Sequence, residues 1–293
     1  MSADAGNGPP LSHAAGQNRT QVVLKLIFAY TALVIGSAVM ILPFLWVVST
    51  SLKTSSEVFA YPVVWVPDTV RWDNYPMVLE LLPFGRYLFN TAFVTTSVTI
   101  LEVVTASLAA FAFARLRFRG RDKLFLLYLG TLMIPGQVTL IPNFLLMRWF
   151  GWIDTYMALI IPAAFSAFGT FLLRQFFLSI PRELEEAARV DGASPFRVYW
   201  QIIMPLSGPA LATFAVFSFM TQWNAFLWPM IVTQSEGTRT LTVGLRFFQD
   251  ELVTQFNYLM AGTVMSIVPV LVLFLALQRY FVRGIAMTGM GGR

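Results

Sequence analysis

Glu186-Ala-Ala-Arg-Val-Asp-Gly-Ala-Ser-Pro-Phe-Arg-Val-Tyr-Trp-Gln-Ile-Ile-Met-Pro205 is the most polar piece of a very apolar chain, and hydrophobic spans flank it on both sides. Just before it, Pro181 suits the first turn of a helix, which brings Glu183, Glu185 and Glu186 near the positive N-terminal end. Ala187 and Ala188 combine high helix propensity with almost no bulk, so another surface can approach closely. Gly192 permits a backbone turn that other residues resist. Phe196, Tyr199, Trp200, Ile203 and Met204 then offer an apolar face leading to Pro205. The stretch reads as two short helices joined at a kink. A segment of this kind between membrane spans fits a docking element that touches something outside the bilayer. An ordinary re-entry loop with a solvated charge run fits the same residues.

The need for lipid follows from composition. The 293 residues are 57% hydrophobic and only 12% charged, with a mean hydropathy of +0.67. A soluble domain carries about twice that charged fraction. The fold class expected is therefore all-α, a polytopic membrane protein. The net charge of +5 and pI near 9.7 match basic residues gathered on cytoplasmic loops better than nucleic-acid binding. The absence of cysteine excludes disulfides, thiol catalysis and cysteine-ligated metals. The single histidine, His13, lies in a Gly/Pro/Ser-rich tail, so no metal site is expected. No catalytic residues are expected either, because paired acids are missing from the spans.

A span takes about 20 apolar residues, and six candidates occur, at roughly 22–50, 86–114, 122–147, 155–177, 206–232 and 257–281. Residues 1–20 read as a disordered tail, 21–285 as the six-helix domain with a loop at 178–205, and 286–293 as a short second tail. The first span is too long for a signal peptide and has no clean cleavage site. With both termini inside, fourteen of the twenty Lys and Arg residues fall on the cytoplasmic side, including Arg115, Arg117, Arg119, Arg121 and Lys123. That bias orients the chain and puts the Glu186 loop in the cytoplasm, between spans four and five. The longest external connection, about 51–85, holds Tyr61, Trp65, Trp72 and Tyr75 as interface anchors. Leu245 to Leu252, in the second external loop at about 233–256, reads as a short helix lying at the membrane surface.

Glu186, Ala187, Ala188, Gly192, Ile202 and Pro205 match the pattern E-A-A-x3-G-x9-I-x-L-P, with Met204 in place of the usual leucine. This is similar to the cytoplasmic signature of membrane subunits of bacterial ABC importers, and Asp191-Gly192-Ala193 resembles its carbohydrate-uptake form. Asn90-Thr91, Ala109 to Arg115, Phe118 to Arg121, Ile134 to Pro142 and Trp223-Asn224 extend the resemblance to the smaller membrane subunit of maltose-type importers. The tail 1–20 lies outside it. The resemblance implies a coupling helix that docks on a separate ABC ATPase, with Glu186 pairing a basic group and Ala187 and Ala188 packing in a cleft. It also implies a second, homologous permease subunit and an extracytoplasmic sugar-binding protein, in a bacterial inner membrane. The chain has no G-x4-G-K-[ST] phosphate loop. No cofactor is expected in it, ATP and Mg belonging to the partner ATPase.

Glu102 falls mid-span on one face with Thr91, Thr95, Thr99, Ala106 and Ala109. An acid there serves either a pathway or helix packing. Gln137, Asn143, Trp223 and Asn224 are the candidates for lining a sugar path, since amides and aromatic faces suit hydroxyls and C–H faces; each also fits an interhelical role. The Arg115–Lys123 run reads as a topology anchor near anionic lipid. Rival readings are an importer for another solute such as glycerol phosphate or a polyamine, and a secondary transporter using Glu102. The latter leaves the Glu186 loop unexplained.

Overall fold

The computed structural model describes residues 19–249 and 255–288, and every regular element in them is helical. Most of the two expected tails lies outside that range; the first helix starts at Arg19 and the last ends at Thr288.

Three helices are long and apolar enough to cross hydrocarbon unbroken: Val23–Ser51, Phe84–Arg115 and Phe256–Leu275. The second is the mast of the bundle. Its 32 residues reach about 48 Å at 1.5 Å each. One face is buried, running through Asn90, Thr91, Val94, Thr95, Val98, Glu102, Ala106, Ala110 and Ala114. The spacing of three and four is the helical repeat. Ala106, Ala110 and Ala114 leave no bulk between backbones, which lets neighbouring helices close in. Leu173, Phe177, Tyr199, Ile203 and Phe214 fill the space beside them.

None of the other three expected spans is a continuous helix; two bent helix pairs, Arg121–Met133 with Gly136–Trp149 and Pro195–Leu206 with Gly208–Trp223, are long and apolar enough to bring the described spans to at most five. The stretch expected at 122–147 forms Arg121–Met133 and Gly136–Trp149, bent by 97°. Pro135 causes the break. It pushes Ile134 out of the helical region, to φ −84° and ψ 114°. The stretch at 155–177 divides into Tyr156–Ile160 and Ala167–Ser179, with Pro162 between them; the Ser166 hydroxyl caps the second piece by accepting from the Gly169 N–H. The stretch at 206–232 divides into Gly208–Trp223 and Leu227–Val232. Carbonyls freed at these breaks find side-chain donors. Thr105 Oγ1 donates to the Ala164 carbonyl at 2.7 Å and Trp228 Nε1 to the Ala158 carbonyl at 2.8 Å. Backbone irregularity at membrane depth is tolerated on this condition.

The first helix runs against the last one, Phe256–Thr288, with most of its apolar side chains exposed, and it is buried only toward its end. There the buried Asn74 amide donates to the carbonyls of Ser51 and Lys53 at 2.8 and 2.9 Å, and Lys53 Nζ lies 3.9 Å from the centre of the Trp46 ring. Trp65 meets Trp46 edge-on, and Trp72 stacks on Tyr75. The 51–85 aromatics thus pin this long connection to the helix end as well as facing outward. In place of the expected surface helix at 245–252, the buried Leu245 ends the helix Leu241–Leu245 and Arg246–Gln249 form a 3-10 turn; 250–252 lie outside the described residues.

Gly169 reports on the tightness of this packing. A Cβ there would stand 2.1 Å from Cζ of the buried Phe214. Gly169→Ala is expected to cost about 1–3 kcal/mol, seen as earlier thermal unfolding in detergent. Gly85→Ala, where nothing lies within 4 Å, should leave the transition in place.

Candidate functional site

The Glu186 loop folds as two short helices, Glu183–Val190 and Pro195–Val198. Gly192 joins them at φ +81°. Ala193 N donates to the Ala188 carbonyl at 2.9 Å and Gly192 N to the Arg189 carbonyl at 3.0 Å. These two bonds form a Schellman closure, whose left-handed residue is the one place where glycine is required. The Ser194 hydroxyl caps the second helix by accepting from the Arg197 N–H. The chain then passes through a π-helical turn, Tyr199–Ile203. Tyr199 and Ile203 are buried, and the Tyr199 hydroxyl meets that of Ser107 at 2.8 Å. The loop is therefore fixed to helix 84–115 from one side and open on the other. Glu186, Ala187, Asp191 and Pro205 are exposed, whereas Ala188, Ala193 and Ile202 are half-buried. Val190 is 88% exposed and Phe196 67%. A small-residue patch ringed by apolar side chains and the exposed acids Glu183, Glu186 and Asp191 is the surface on offer.

The fixing charge is one residue earlier than the pattern's glutamate. Glu185 Oε1 lies 2.8 Å from Arg115 Nε, and their side chains are 6% and 1% exposed. A terminal nitrogen of the same guanidinium donates to the carbonyls of Phe177 and Ile180, the latter at 2.7 Å. One arginine thus gathers the end of helix 84–115, the end of helix 167–179 and the start of helix 183–190. From sequence, Arg115 stood among the topology anchors and Glu185 among the acids at a helix start. The readable signal was an arginine on the buried register of the 106–110–114 stripe.

Toward the other end of the bundle lies a cavity of about 410 Å3, within the range of small-molecule sites. Gln137, Asn143 and Trp223 line it, together with Thr91, Thr95, Gln222 and Trp228. Gln222 was not among the sequence candidates. Asn224 is absent from the lining: it ends helix 208–223, and its amide donates back to the Met220 carbonyl at 2.7 Å. Trp223 offers only part of its surface, because Nε1 donates to the Ser266 carbonyl and the ring stacks on Phe219. Thr95 Oγ1 is buried without a hydrogen-bond partner. The lining contains no Asp, Glu, Lys or Arg among the described residues. Glu102 is buried, but it lies outside the cavity on the packed face.

Beyond the cavity, the segment 233–240 is tied down by two groups that sequence reasoning missed. Asn90 donates to the carbonyls of Gly237 and Arg239, and its own carbonyl accepts from Tyr156. Asp154 sits at φ +61°, and its carboxylate accepts from Gln234 N, Ser235 N and the Thr238 hydroxyl. Burial alone would raise the Asp154 pKa; these donors outweigh it and hold the carboxyl well below the usual range. Its support for the loop is therefore present at neutral pH and lost only as pH falls through that depressed value.

An all-helical bundle with helices of membrane-crossing length, a braced loop at 233–240 and a cavity lined without charged groups is the architecture of a membrane transport protein. The chain belongs to the family of binding-protein-dependent transport system inner membrane components, whose profile matches residues 102–287. It is 33% identical over 273 residues to the arabinooligosaccharides transport system permease protein AraQ of Halalkalibacterium halodurans, covering 92% of this chain and 96% of the relative. It is 35% identical to the sn-glycerol-3-phosphate transport system permease protein UgpE of Rhizobium meliloti, covering 89% and 96%. Among solved structures, a bacterial ABC transporter involved in the import of the acidic polysaccharide alginate matches with a TM-score of 0.77 and 27% identity, over 92% of this chain and all of that one. The membership removes the secondary-transporter alternative built on Glu102.

Removing one partner of the buried pair leaves an uncompensated charge. Glu185→Gln or Arg115→Gln is expected to cost about 3–5 kcal/mol, read as loss of folded protein on size-exclusion chromatography. The double change Arg115→Met with Glu185→Leu should recover most of that loss. Asp154→Ala should leave the fold intact and selectively raise proteolysis within 233–240.

Proposed function

We propose that this permease carries an uncharged carbohydrate through the cavity lined by Gln137, Asn143 and Trp223, and is driven by a separate ABC ATPase that docks on Glu183–Val198. The observation that carries the reading is the cavity itself: amides, hydroxyls and indoles, one unpartnered buried threonine hydroxyl, and no ionised lining group. Sugar hydroxyls pair with amides and hydroxyls, and sugar C–H faces stack on indole rings. A phosphate or a uronic acid calls for arginine or lysine, which supports a neutral solute over the phosphate and acidic glycan named for two of the similar proteins.

The remaining parts follow from this reading. Six spans supply half of a pathway, so a second permease subunit completes it, and a sugar-binding protein delivers the solute outside. ATP and Mg bind the ATPase subunits. Both termini and the 178–205 loop face the cytoplasm, in keeping with the excess of basic residues there. Glu186, Ala187, Ala188, Asp191, Gly192 and Ala193 form the docking surface; Ile202 and Pro205 connect it to the next helix. An ATPase that closes around this element moves helix 84–115, because the two are joined at Arg115–Glu185 and Ser107–Tyr199. The docking energy must differ between open and closed states for transport to be driven.

The first test is gentle purification of the tagged chain, mass spectrometry of what accompanies it, and uptake assays in proteoliposomes. An ATPase, a second permease and ATP-dependent uptake of a neutral oligosaccharide are expected; uptake of glycerol phosphate in its place would overturn the neutral-solute reading. Glu186→Lys and Gly192→Pro should insert normally and reduce uptake at least tenfold. Wild-type uptake in either would remove the docking assignment.

A further inference from the structure

Two basic concavities sit beside the docking loop; the first shares Glu186 and Ala193 with the docking surface proposed above, and the second shares no residue with it. One, of about 490 Å3, is lined by Arg117, Arg182 and Arg189 around the Arg115–Glu185 pair. The other, of about 590 Å3, is lined by Arg117, Arg182, Arg121 and Lys123. Arg117 and Arg182 belong to both, are exposed, and form no ion pair among the described residues. The acids nearby do not balance them. Glu185 is shared between Arg115 at 2.8 Å and Arg189 at 3.9 Å, and Asp122 between Arg121 at 3.0 Å and Arg174 at 4.0 Å. Of the acids lining the two concavities, only Glu186 has no ion pair among the described residues.

The surroundings of this charge are apolar in one direction. Lys123 and Arg121 open helix Arg121–Gly130, whose Leu124, Leu126 and Leu127 are exposed, the last two by 70 and 72%. Phe118 stands exposed beside the second concavity. Such leucines belong in hydrocarbon, so the arginines lie at the depth of the headgroups. A groove with surplus cations at one end and a lipid-facing leucine surface at the other has the amphipathic pattern of a phospholipid.

We propose that the joined Arg117–Arg182 concavity is a specific site for the phosphate headgroup of an anionic phospholipid. Guanidinium groups bind phosphate oxygens through paired N–H donors, and basic pockets at the cytoplasmic ends of membrane helices take anionic headgroups. A zwitterionic lipid brings its own cation into a place already rich in cations, so a net negative headgroup is required. Arg182 and Arg189 bracket helix Glu183–Val190. A lipid held there braces the docking helix against the membrane face, and the anionic-lipid content of the membrane thereby sets how well ATPase movement is transmitted. This site is independent of which solute the cavity carries.

The test uses the intact importer in nanodiscs of phosphatidylcholine alone or with added phosphatidylglycerol. Native mass spectrometry is expected to show phosphatidylglycerol retained on the wild-type complex and lost from Arg117→Gln/Arg182→Gln. Substrate-stimulated ATP hydrolysis should rise severalfold with phosphatidylglycerol in the wild type and stay flat in that variant, while Arg117→Lys/Arg182→Lys keeps the response. Equal lipid retention by wild type and variant overturns the proposal. So does stimulation by inorganic phosphate in phosphatidylcholine discs, which would make this a free-anion site. Loss of the ATPase subunit from the variant in every lipid would also overturn it, by making the face a protein contact.

Discussion

The Arg115–Glu185 pair is the contact on which the arrangement of this subunit depends. Both charges are out of water, and such a pair holds only when its geometry is good and its remaining donors are used. Here one terminal nitrogen of the guanidinium is taken up by carbonyls at the end of helix 167–179. The pair therefore fixes three chain segments at once and leaves few alternative positions for helix 183–190. Around it the small stripe Ala106, Ala110, Ala114 lets Leu173, Phe177 and Phe214 close on the long helix. A loop that would otherwise be a solvated tether becomes a rigid extension of the bundle.

The same helix carries the cavity. Thr95 lies 20 residues from Arg115, or about 30 Å along the axis, and both are on the buried register. A displacement at the loop reaches the cavity through one continuous element rather than through a chain of loose contacts. On the far side of the cavity, Asn90 and Asp154 hold segment 233–240 to the ends of neighbouring helices. The cavity is thus lined by parts attached to one mast, while in the broken helices around it the Ala158 and Ala164 carbonyls are met by side-chain donors. In the proposed function, these mechanical links serve transport.

Much of this was legible in residues whose chemistry has few alternatives. Gly192 announced a left-handed turn, and the turn is there, closed by Ala188 and Arg189. The apolar runs announced six stretches of membrane length. What they could not announce was continuity: hydropathy counts Pro135 and Pro162 as neutral interruptions, whereas the backbone breaks there because proline cannot continue the helix, and near Pro162 side-chain donors receive the freed carbonyls. Gln137 and Asn143 were picked for their amides and do line the cavity, but Asn224 was not separable from them. Its amide turns back onto its own helix, a choice made by a helix end that composition does not mark. Glu185 was hidden by the stronger pattern around Glu186. Adjacent residues on a helix point about 100° apart, so only one could reach the bundle.

The most direct measurement of the account exploits the absence of cysteine from the chain. Val190→Cys places the chain's only thiol at the most exposed apolar position of the docking surface. The account predicts that this thiol forms a cross-link to a co-assembled ATPase subunit, and that a membrane-impermeant maleimide reaches it only after the membrane is opened. Labelling from outside intact cells, with no cross-link to any ATPase, would contradict it.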